Sequence, residues 1–431
     1  MNNDIIKKTS AIIRIGGIAI KKRREISLFE IVMSISDAMD LINPMVNGHH
    51  KRVAYIALML AEGMDLSKER IQKLVFAGAL HDIGAFSLKE RINALNFEIG
   101  PRAKKHAEIG YLILKDFKYF NEIANIIKFH HTDWSDEDLT VEAGILRLAD
   151  RIDVLVNPEK EILSQRKKTV DKVKEDKGNK FMPEAVEAFE KIAEKEFFWF
   201  ELISVDSDNN LELISKKADI KLDSDDFYKL AELFSKIIDF RSNFTATHSA
   251  GVATVARNIS LLAGFSKEDA VEIEIAGYLH DLGKLAVPIS LINKEKKLKN
   301  KEYNVIKQHP FYTYKILKRI NNLDKIRDWA SFHHEKIDGS GYPFQLVDQE
   351  INKGARILAI ADIFTALSEN RPYRSGLERK VVLEILDDMA DNNKIDADLL
   401  GLVKFNYSSL QDLREITQQE KKQEYKNLLV K

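Results

Sequence analysis

The sequence predicts an all-α fold built as two copies of one helical unit. Three observations predict it. Apolar residues recur at helical spacing along nearly the whole chain, convincing strands are almost absent, and one ordered set of histidines and aspartates occurs twice.

A chain of 431 residues has room for two or three folding units at about 150 residues each. With 45% hydrophobic and 31% charged residues, collagen-like, low-complexity and wholly disordered readings are excluded. Lys plus Arg number 66 against 67 for Asp plus Glu, so no global field favours a nucleic acid polymer or an anionic membrane. Any attraction for phosphate has to be local.

Cysteine is absent, which removes disulfides, thiolate nucleophiles, zinc knuckles and iron-sulfur clusters together. Metal ligands are therefore restricted to His, Asp and Glu. The early apolar segment Ala11 to Ile20 is interrupted by Arg14 and followed by Lys21, Lys22, Arg23 and Arg24. No stretch reaches the roughly 18 apolar residues of a membrane span, so the expectation is a cytoplasmic protein.

Taken in order, Leu28, Ile31, Val32, Ile35 and Met39 mark one helical face, and Val53, Ile56, Ala57 and Leu60 the next. Ser67 and Ser266 read as helix starts, the second with Asp269 in capping-box position. Gly63, Gly84, Gly264 and Gly283 read as helix stops. A charge-rich segment runs from Arg166 to Lys180, and an alternating stretch from Phe200 to Ser215, broken by Asp208-Asn209-Asn210, predicts a small β-hairpin in the connecting region. From about Gln411 the chain is highly charged, which predicts a peripheral helix or frayed tail. The domain reading is 1–200, a connecting segment 201–225, and 226–431.

All eleven histidines fall into two sets. From His49 to His81 is 32 residues, and from His248 to His280 also 32. Both then read His-Asp, as His81-Asp82 and His280-Asp281. A lone His follows at His106 and His309, and 24 residues beyond each comes a His-His pair, His130-His131 and His333-His334. Asp150 and Asp362 close the two series inside matching apolar runs. The chain therefore reads as a tandem duplication, repeat one near 27–155 and repeat two near 226–405.

A single histidine is most simply a hydrogen-bonded imidazole, but five histidines and two aspartates recurring in order would be a strange way to build two cores. Seven ligand groups exceed what one ion with open positions uses, so two ions fit each full set better. A carboxylate can bridge through two oxygens whereas neutral imidazole offers one lone pair, which makes Asp281 the natural bridge. Imidazole and carboxylate without sulfur suit iron, manganese, zinc or nickel. Paired ions of that kind support in-line displacement at phosphorus, and hence phosphoester hydrolysis. Lys284, four residues after His280, would add a donor for a phosphate oxygen.

The second repeat resembles the HD-GYP subgroup of the HD superfamily of metal-dependent phosphohydrolases. The resemblance rests on His280-Asp281-Leu-Gly283-Lys284, His309-Pro310, His333-His334-Glu335-Lys-Ile-Asp338-Gly339-Ser-Gly341-Tyr342-Pro343, Asp362, and Arg371-Pro372-Tyr373-Arg374, covering roughly residues 245–400. It implies tandem all-helical HD domains. It further implies a centre of two divalent transition metals, iron or manganese, whose bound hydroxide opens a cyclic dinucleotide, cyclic di-GMP above all and cyclic GMP-AMP as the other candidate. By position, His248, His280, Asp281 and Asp362 would hold one ion, and Asp281, His309, His333 and His334 the other, with Asp281 and Lys284 the catalytic pair. Lys284, Asp338, Gly341, Tyr342, Pro343, Arg371 and Arg374 match substrate-contacting positions. Phe244 stands where some members carry a third-ion glutamate, so two ions are expected. The Gly-Tyr-Pro loop is also a suspected docking surface for diguanylate cyclases in this family.

The first repeat keeps His49, His81, Asp82, His106, His130, His131 and Asp150 as a candidate second metal set. It departs elsewhere: Ala85 replaces the lysine, Thr132-Asp133-Trp134 follows the paired histidines, the Gly-Tyr-Pro loop is missing, and Glu159 stands where repeat two has Arg371. The phosphate clamp is lost while the ligands stay. Two other readings remain open at this level: an HD-type hydrolase of linear nucleotides, and a silent receptor that binds a cyclic dinucleotide without cleaving it.

Overall fold

The computed structural model describes residues 25–40, 48–85, 101–136, 139–204, 220–241, 247–294, 296–370 and 375–429. Its first part comprises β1 (Ile26–Ser27), α1 (Leu28–Asp40), α2 (His49–Gly63), α3 (Lys68–Leu80), α4 (Pro101–Leu114), α5 (Asn121–Lys128), α6 (Val141–Leu155), α7 (Arg166–Glu175), α8 (Pro183–Ala193) and α9 (Glu196–Ile203). The second comprises β2 (Lys221–Leu222), α10 (Ser224–Arg241), α11 (His248–Leu262), α12 (Lys267–Leu279), α13 (Ile289–Ile292), α14 (Asn300–Ile306), α15 (His309–Lys318), α16 (Asp324–Ser331), α17 (Lys353–Ser368), α18 (Arg379–Asp391), α19 (Ala397–Phe405) and α20 (Tyr407–Leu429). The all-α expectation holds, and so does the duplication. Helices α2 and α11 both span 15 residues, α3 and α12 both 13, and α5 and α16 both 8.

Local chemistry accounts for where these helices begin. Ser67 and Ser266 cap α3 and α12, accepting from the Arg70 and Asp269 amides, and Thr140 and Asn352 cap α6 and α17 in the same way. Apolar faces from both repeats meet in one contiguous core.

The repeats also exchange contacts. β1 pairs antiparallel with β2, Ile26 opposite Leu222, so the leading helices α1 and α10 start side by side. Helix α1 rests on α15, where the Asn321 amide donates to Glu30 at 2.9 Å. Helix α10 reaches α4, and near it the Tyr119 hydroxyl donates to Asp226 at 2.9 Å.

One expectation changes and one open alternative closes. The stretch read as a hairpin begins inside α9, which runs to Ile203, and residues 205–219 lie outside the described residues. The strand pairing seen joins chain positions far apart, which no local alternation could announce. The tail from Gln411 takes the helical one of its two expected states as far as Leu429. It belongs to α20, which packs along α11 and buries Tyr407, Leu410 and Arg414. Two of its charges reach α10, Lys421 paired to Glu232 and Glu424 at 2.5 Å from Lys236. Among the described residues no helix is long and apolar enough to cross a membrane.

Candidate metal centres

Glycines bring the ligand helices together. Gly277 packs on α11 so closely that a Cβ there would lie 2.6 Å from the Ala253 Cα, and Gly78 does the same against Ala54 at 2.7 Å. His248 at the start of α11 thereby meets His280, which caps the end of α12. Helices α3 and α12 end at Leu80 and Leu279, so Gly84 and Gly283 are not helix stops, as the sequence suggested. They make room: a Cβ on Gly283 would lie 1.9 Å from the His309 carbonyl oxygen, and one on Gly84 2.1 Å from that of His106. Thr313 closes the same junction, accepting from the Gly283 amide at 2.9 Å and donating to the His280 carbonyl at 3.0 Å. Gly283→Ala is therefore expected to lower the free energy of unfolding by about 2 kcal/mol, measurable by urea titration. An unchanged midpoint would show that the junction yields freely.

Hydrogen bonds set the tautomers. The Nδ1 atoms of His280, His309 and His333 donate to the carbonyls of Gly277, Ile306 and Ala330 at 2.7, 2.8 and 2.7 Å. A carbonyl only accepts, so each Nδ1 carries the proton and each Nε2 presents a lone pair. His248 donates Nδ1–H instead to Glu369, at 3.1 Å, and its Nε2 lies 3.1 Å from Asp362 Oδ1.

Asp281 sits between the two groups. Its Oδ1 is 3.3 Å from His309 Nε2, and its Oδ2 is 3.3 Å from His280 Nε2 and 2.5 Å from Lys284 Nζ. One set of ligand atoms, from His248, His280 and Asp281, converges within 4.8 Å, and so does a second from His309, His333 and His334. Burial disfavours a charged His248, but the Glu369 and Asp362 carboxylates outweigh it and push the imidazole up to about 10. Burial pulls His309 down to about 3 and His334 to about 4. Burial would raise Asp281, yet His280 and Lys284 hold its carboxyl well below the usual carboxylate range.

The donor set fits divalent metal. His309 and His333 aim their Nε2 lone pairs at one another across 3.3 Å with both Nδ1 protons already committed to carbonyls. Two acceptors that close repel unless a cation lies within their reach. The first repeat is built alike. His81 and His130 donate Nδ1–H to the Gly78 and Ile127 carbonyls at 2.8 and 2.6 Å, and His106 Nε2 lies 3.2 Å from His130 Nε2, 3.0 Å from His131 Nε2 and 3.1 Å from Asp82. His49 Nε2 stands 3.2 Å from His81 Nε2 and 3.6 Å from Asp150, while its Nδ1 donates to Asp153 at 2.6 Å. Asp153 is anchored in turn by Arg52. All seven candidate ligands of each repeat are thus brought together.

The remaining candidates divide. Lys284 reaches the Asp281 carboxylate. The Tyr342 ring lies 4.8 Å from that of His334, centroid to centroid, and its amide donates to the His334 carbonyl at 3.2 Å. Gly341 is required by crowding, since a Cβ would come within 2.4 Å of the Lys336 nitrogen, and Pro343 follows in the same loop. Asp338 is exposed and spends its carboxylate on its own turn, accepting from the Ser340 amide at 2.9 Å and hydroxyl at 2.7 Å. Its visible role is to shape the loop. Arg371 and Arg374, together with Phe244, lie outside the described residues. In the first repeat Ala85 is buried and Glu159 exposed.

Four participants, Glu335, Glu369, Gln418 and Asp153, had no role assigned from the sequence. Glu335 holds the Gly-Tyr-Pro loop closed, accepting from the amides of Phe344 at 2.7 Å and Leu346 at 3.0 Å. Glu369 orients His248, and Gln418 of α20 donates to both Glu369 and the Thr247 carbonyl at 3.2 Å. The Asp153 and Glu369 carboxylates do the same task at different offsets, which hid them from a comparison of the repeats.

Family matches agree with this geometry. Descriptions of the HD domain match residues 46–155 and, separately, 232–399. This chain belongs to the HD family. Its second HD domain, with the Gly-Tyr-Pro loop, is of the HD-GYP type. The 3′3′-cGAMP-specific phosphodiesterase 1 of Vibrio cholerae is 26% identical over 400 residues, 88% of this chain and 92% of that protein. The 3′3′-cGAMP-specific phosphodiesterase 3 of the same organism is 33% identical over 54% of this chain and 50% of its own length. The cyclic di-GMP phosphodiesterase response regulator RpfG of Xanthomonas campestris is 38% identical over 35% of this chain and 41% of its own. The crystal structure of the V. cholerae cyclic GMP-AMP-specific phosphodiesterase V-cGAP3 shares the fold, with a TM-score of 0.64 and 22% identity over 89% of this chain and 98% of that one.

Proposed function

We propose that the second HD domain is a metal-dependent phosphodiesterase that hydrolyses a cyclic dinucleotide, either cyclic di-GMP or 3′3′-cGAMP. The observation that carries this reading is Asp281, with one carboxylate oxygen turned to each histidine group. In this reading His248, His280, Asp281 and Asp362 hold one ion and Asp281, His309, His333 and His334 the other, with iron or manganese the expected metals. When bound, such a pair supplies a nucleophilic water at neutral pH and positive charge for the phosphate oxygens. The chain does the rest. Nδ1–carbonyl bonds fix which nitrogen each imidazole offers, and Lys284, drawn to Asp281 at 2.5 Å while that carboxylate is anionic, is placed to donate to a phosphate oxygen. Tyr342 walls the site beside His334, held there by Glu335, Gly341 and Pro343. By the sequence resemblance Arg371 and Arg374 are assigned further phosphate contacts, a task that planar guanidinium forks suit. The exposed turn at Asp338 also leaves the loop accessible to a diguanylate cyclase partner.

Incubating the metal-loaded chain with cyclic di-GMP, 3′3′-cGAMP and a panel of linear nucleotides tests the reading. Release of linear dinucleotide or mononucleotide from the cyclic substrates is expected. Faster cleavage of the linear nucleotides, or binding without turnover, would reject it.

The first HD domain is proposed to hold metal without this chemistry, since its ligands converge while Ala85 replaces the lysine. Replacing His81 and Asp82 together with alanine is expected to lower the metal content of the full chain by elemental analysis. Unchanged content would remove the first centre.

A further inference from the structure

Beside the second centre an aromatic ledge leads outward from the ligands. The Tyr342 ring, against His334, meets the Tyr303 ring edge-on at 6.4 Å between centroids. Lys307 places its ammonium 4.9 Å from the centre of the Tyr342 ring. Tyr303 and Lys307 share one helical face, because the Lys307 amide donates to the Tyr303 carbonyl at 2.9 Å, four residues back. Two residues further on, His309 turns its Nε2 toward Asp281. Tyr303, Lys307 and the candidate ligand His309 are thus carried on one short, continuous piece of chain.

Two features mark this ledge as built for a ligand. Tyr303 is 46% exposed, a large ring left open to solvent one ring away from His334. Lys307 forms no ion pair among the described residues, whereas Lys284 and Lys294 nearby are each paired with a carboxylate. An open π face beside an unpaired ammonium matches the chemistry of a purine: the ring stacks on the base and the cation meets acceptors on its edge. Guanine presents two acceptors, O6 and N7, on its major-groove edge, while adenine replaces the first with an amino donor. Lysine has donors only. It therefore discriminates.

We propose that Tyr303 and Lys307 form a base-recognition subsite, Tyr303 stacking on the purine next to the scissile phosphate and Lys307 selecting guanine over adenine. This rests on the cyclic-dinucleotide reading above and names what sets its preference. Neither residue touches the reacting atoms, so both act on binding.

The test compares steady-state kinetics of the full, metal-loaded chain on cyclic di-GMP, 3′3′-cGAMP and cyclic di-AMP, with metal content as a control. Tyr303→Ala is expected to raise KM for cyclic di-GMP on the order of tenfold while kcat and bound metal stay near the parent. Tyr303→Phe, which keeps the ring, restores most of the loss. Lys307→Met is expected to cut the preference for cyclic di-GMP over cyclic di-AMP by about tenfold. A parent that turns over cyclic dinucleotides with KM and base preference untouched by either substitution overturns the subsite alone. So does a loss in Tyr303→Ala that falls on kcat or metal content. A parent that neither binds nor cleaves any cyclic dinucleotide overturns the proposed function and the subsite with it.

Discussion

Replacing His280 and Asp281 together with alanine is expected to reduce cyclic-dinucleotide turnover on the order of a thousandfold or more. Asp281 turns one oxygen to each histidine set, at 3.3 Å from His280 and 3.3 Å from His309. In the proposed two-ion reading, removing it would take a ligand from each ion, and removing His280 would take a second from one of them. The loss should exceed that of any single ligand replaced elsewhere in the site, because these groups act as a unit. The same carboxylate pairs with Lys284, so the ammonium proposed to meet the phosphate would lose its anchor as well.

Three readouts separate this from simple unfolding. Without added metal, the thermal midpoint of the double variant should stay near the parent, since the deleted groups crowd buried charge rather than fill an apolar core. On adding manganese or ferrous ion under reducing conditions, the parent should gain stability by mass action. The variant should gain only what the first domain supplies. Elemental analysis should report the loss of the second-domain ions with first-domain metal retained. Parent-like turnover in the double variant would show that the two-ion reading is wrong.

The sequence made the ligand set legible because the chemistry of metal binding admits few residue types, and here cysteine was excluded outright. Repetition then did what a single chain rarely allows: one repeat tested the other, and an accidental histidine would not recur at 32 residues and again at 24. Helix starts at Ser67 and Ser266 were legible for a local reason, the side chain and the amide it caps being three residues apart. What stayed hidden depends on approach in space. Gly283 looks like a helix stop until the His309 carbonyl is seen against it. The β1–β2 pairing is two residues long on each side and joins the leading end of the first part to that of the second, almost 200 residues further on. Glu369 is one glutamate among many, lying seven residues after Asp362 where its counterpart Asp153 lies three after Asp150.

The second large effect is expected from that hidden carboxylate and the helix behind it. Glu369→Gln should weaken metal binding at the His248 side of the second centre by about 10- to 100-fold, the usual effect of removing an orienting partner from a liganding histidine. The carboxylate fixes the Nδ1 proton of His248 and lends charge to the ring, so that Nε2 is held as a donor beside Asp362. Gln418 should matter through the same imidazole. Its amide bonds both Glu369 and the Thr247 carbonyl at 3.2 Å, and Arg414 braces Gln418 at 2.6 Å and the Ser368 carbonyl at 3.3 Å. Gln418→Ala should therefore give a smaller loss, and in the double variant the two losses should fall short of their sum. Titration of manganese into the metal-free proteins measures all four corners of that cycle. Strict additivity, or affinity unmoved by Glu369→Gln, would mean that α20 only covers α11. The coupled outcome would make α20, which lies beyond the matched HD-domain residues, a working part of the metal centre.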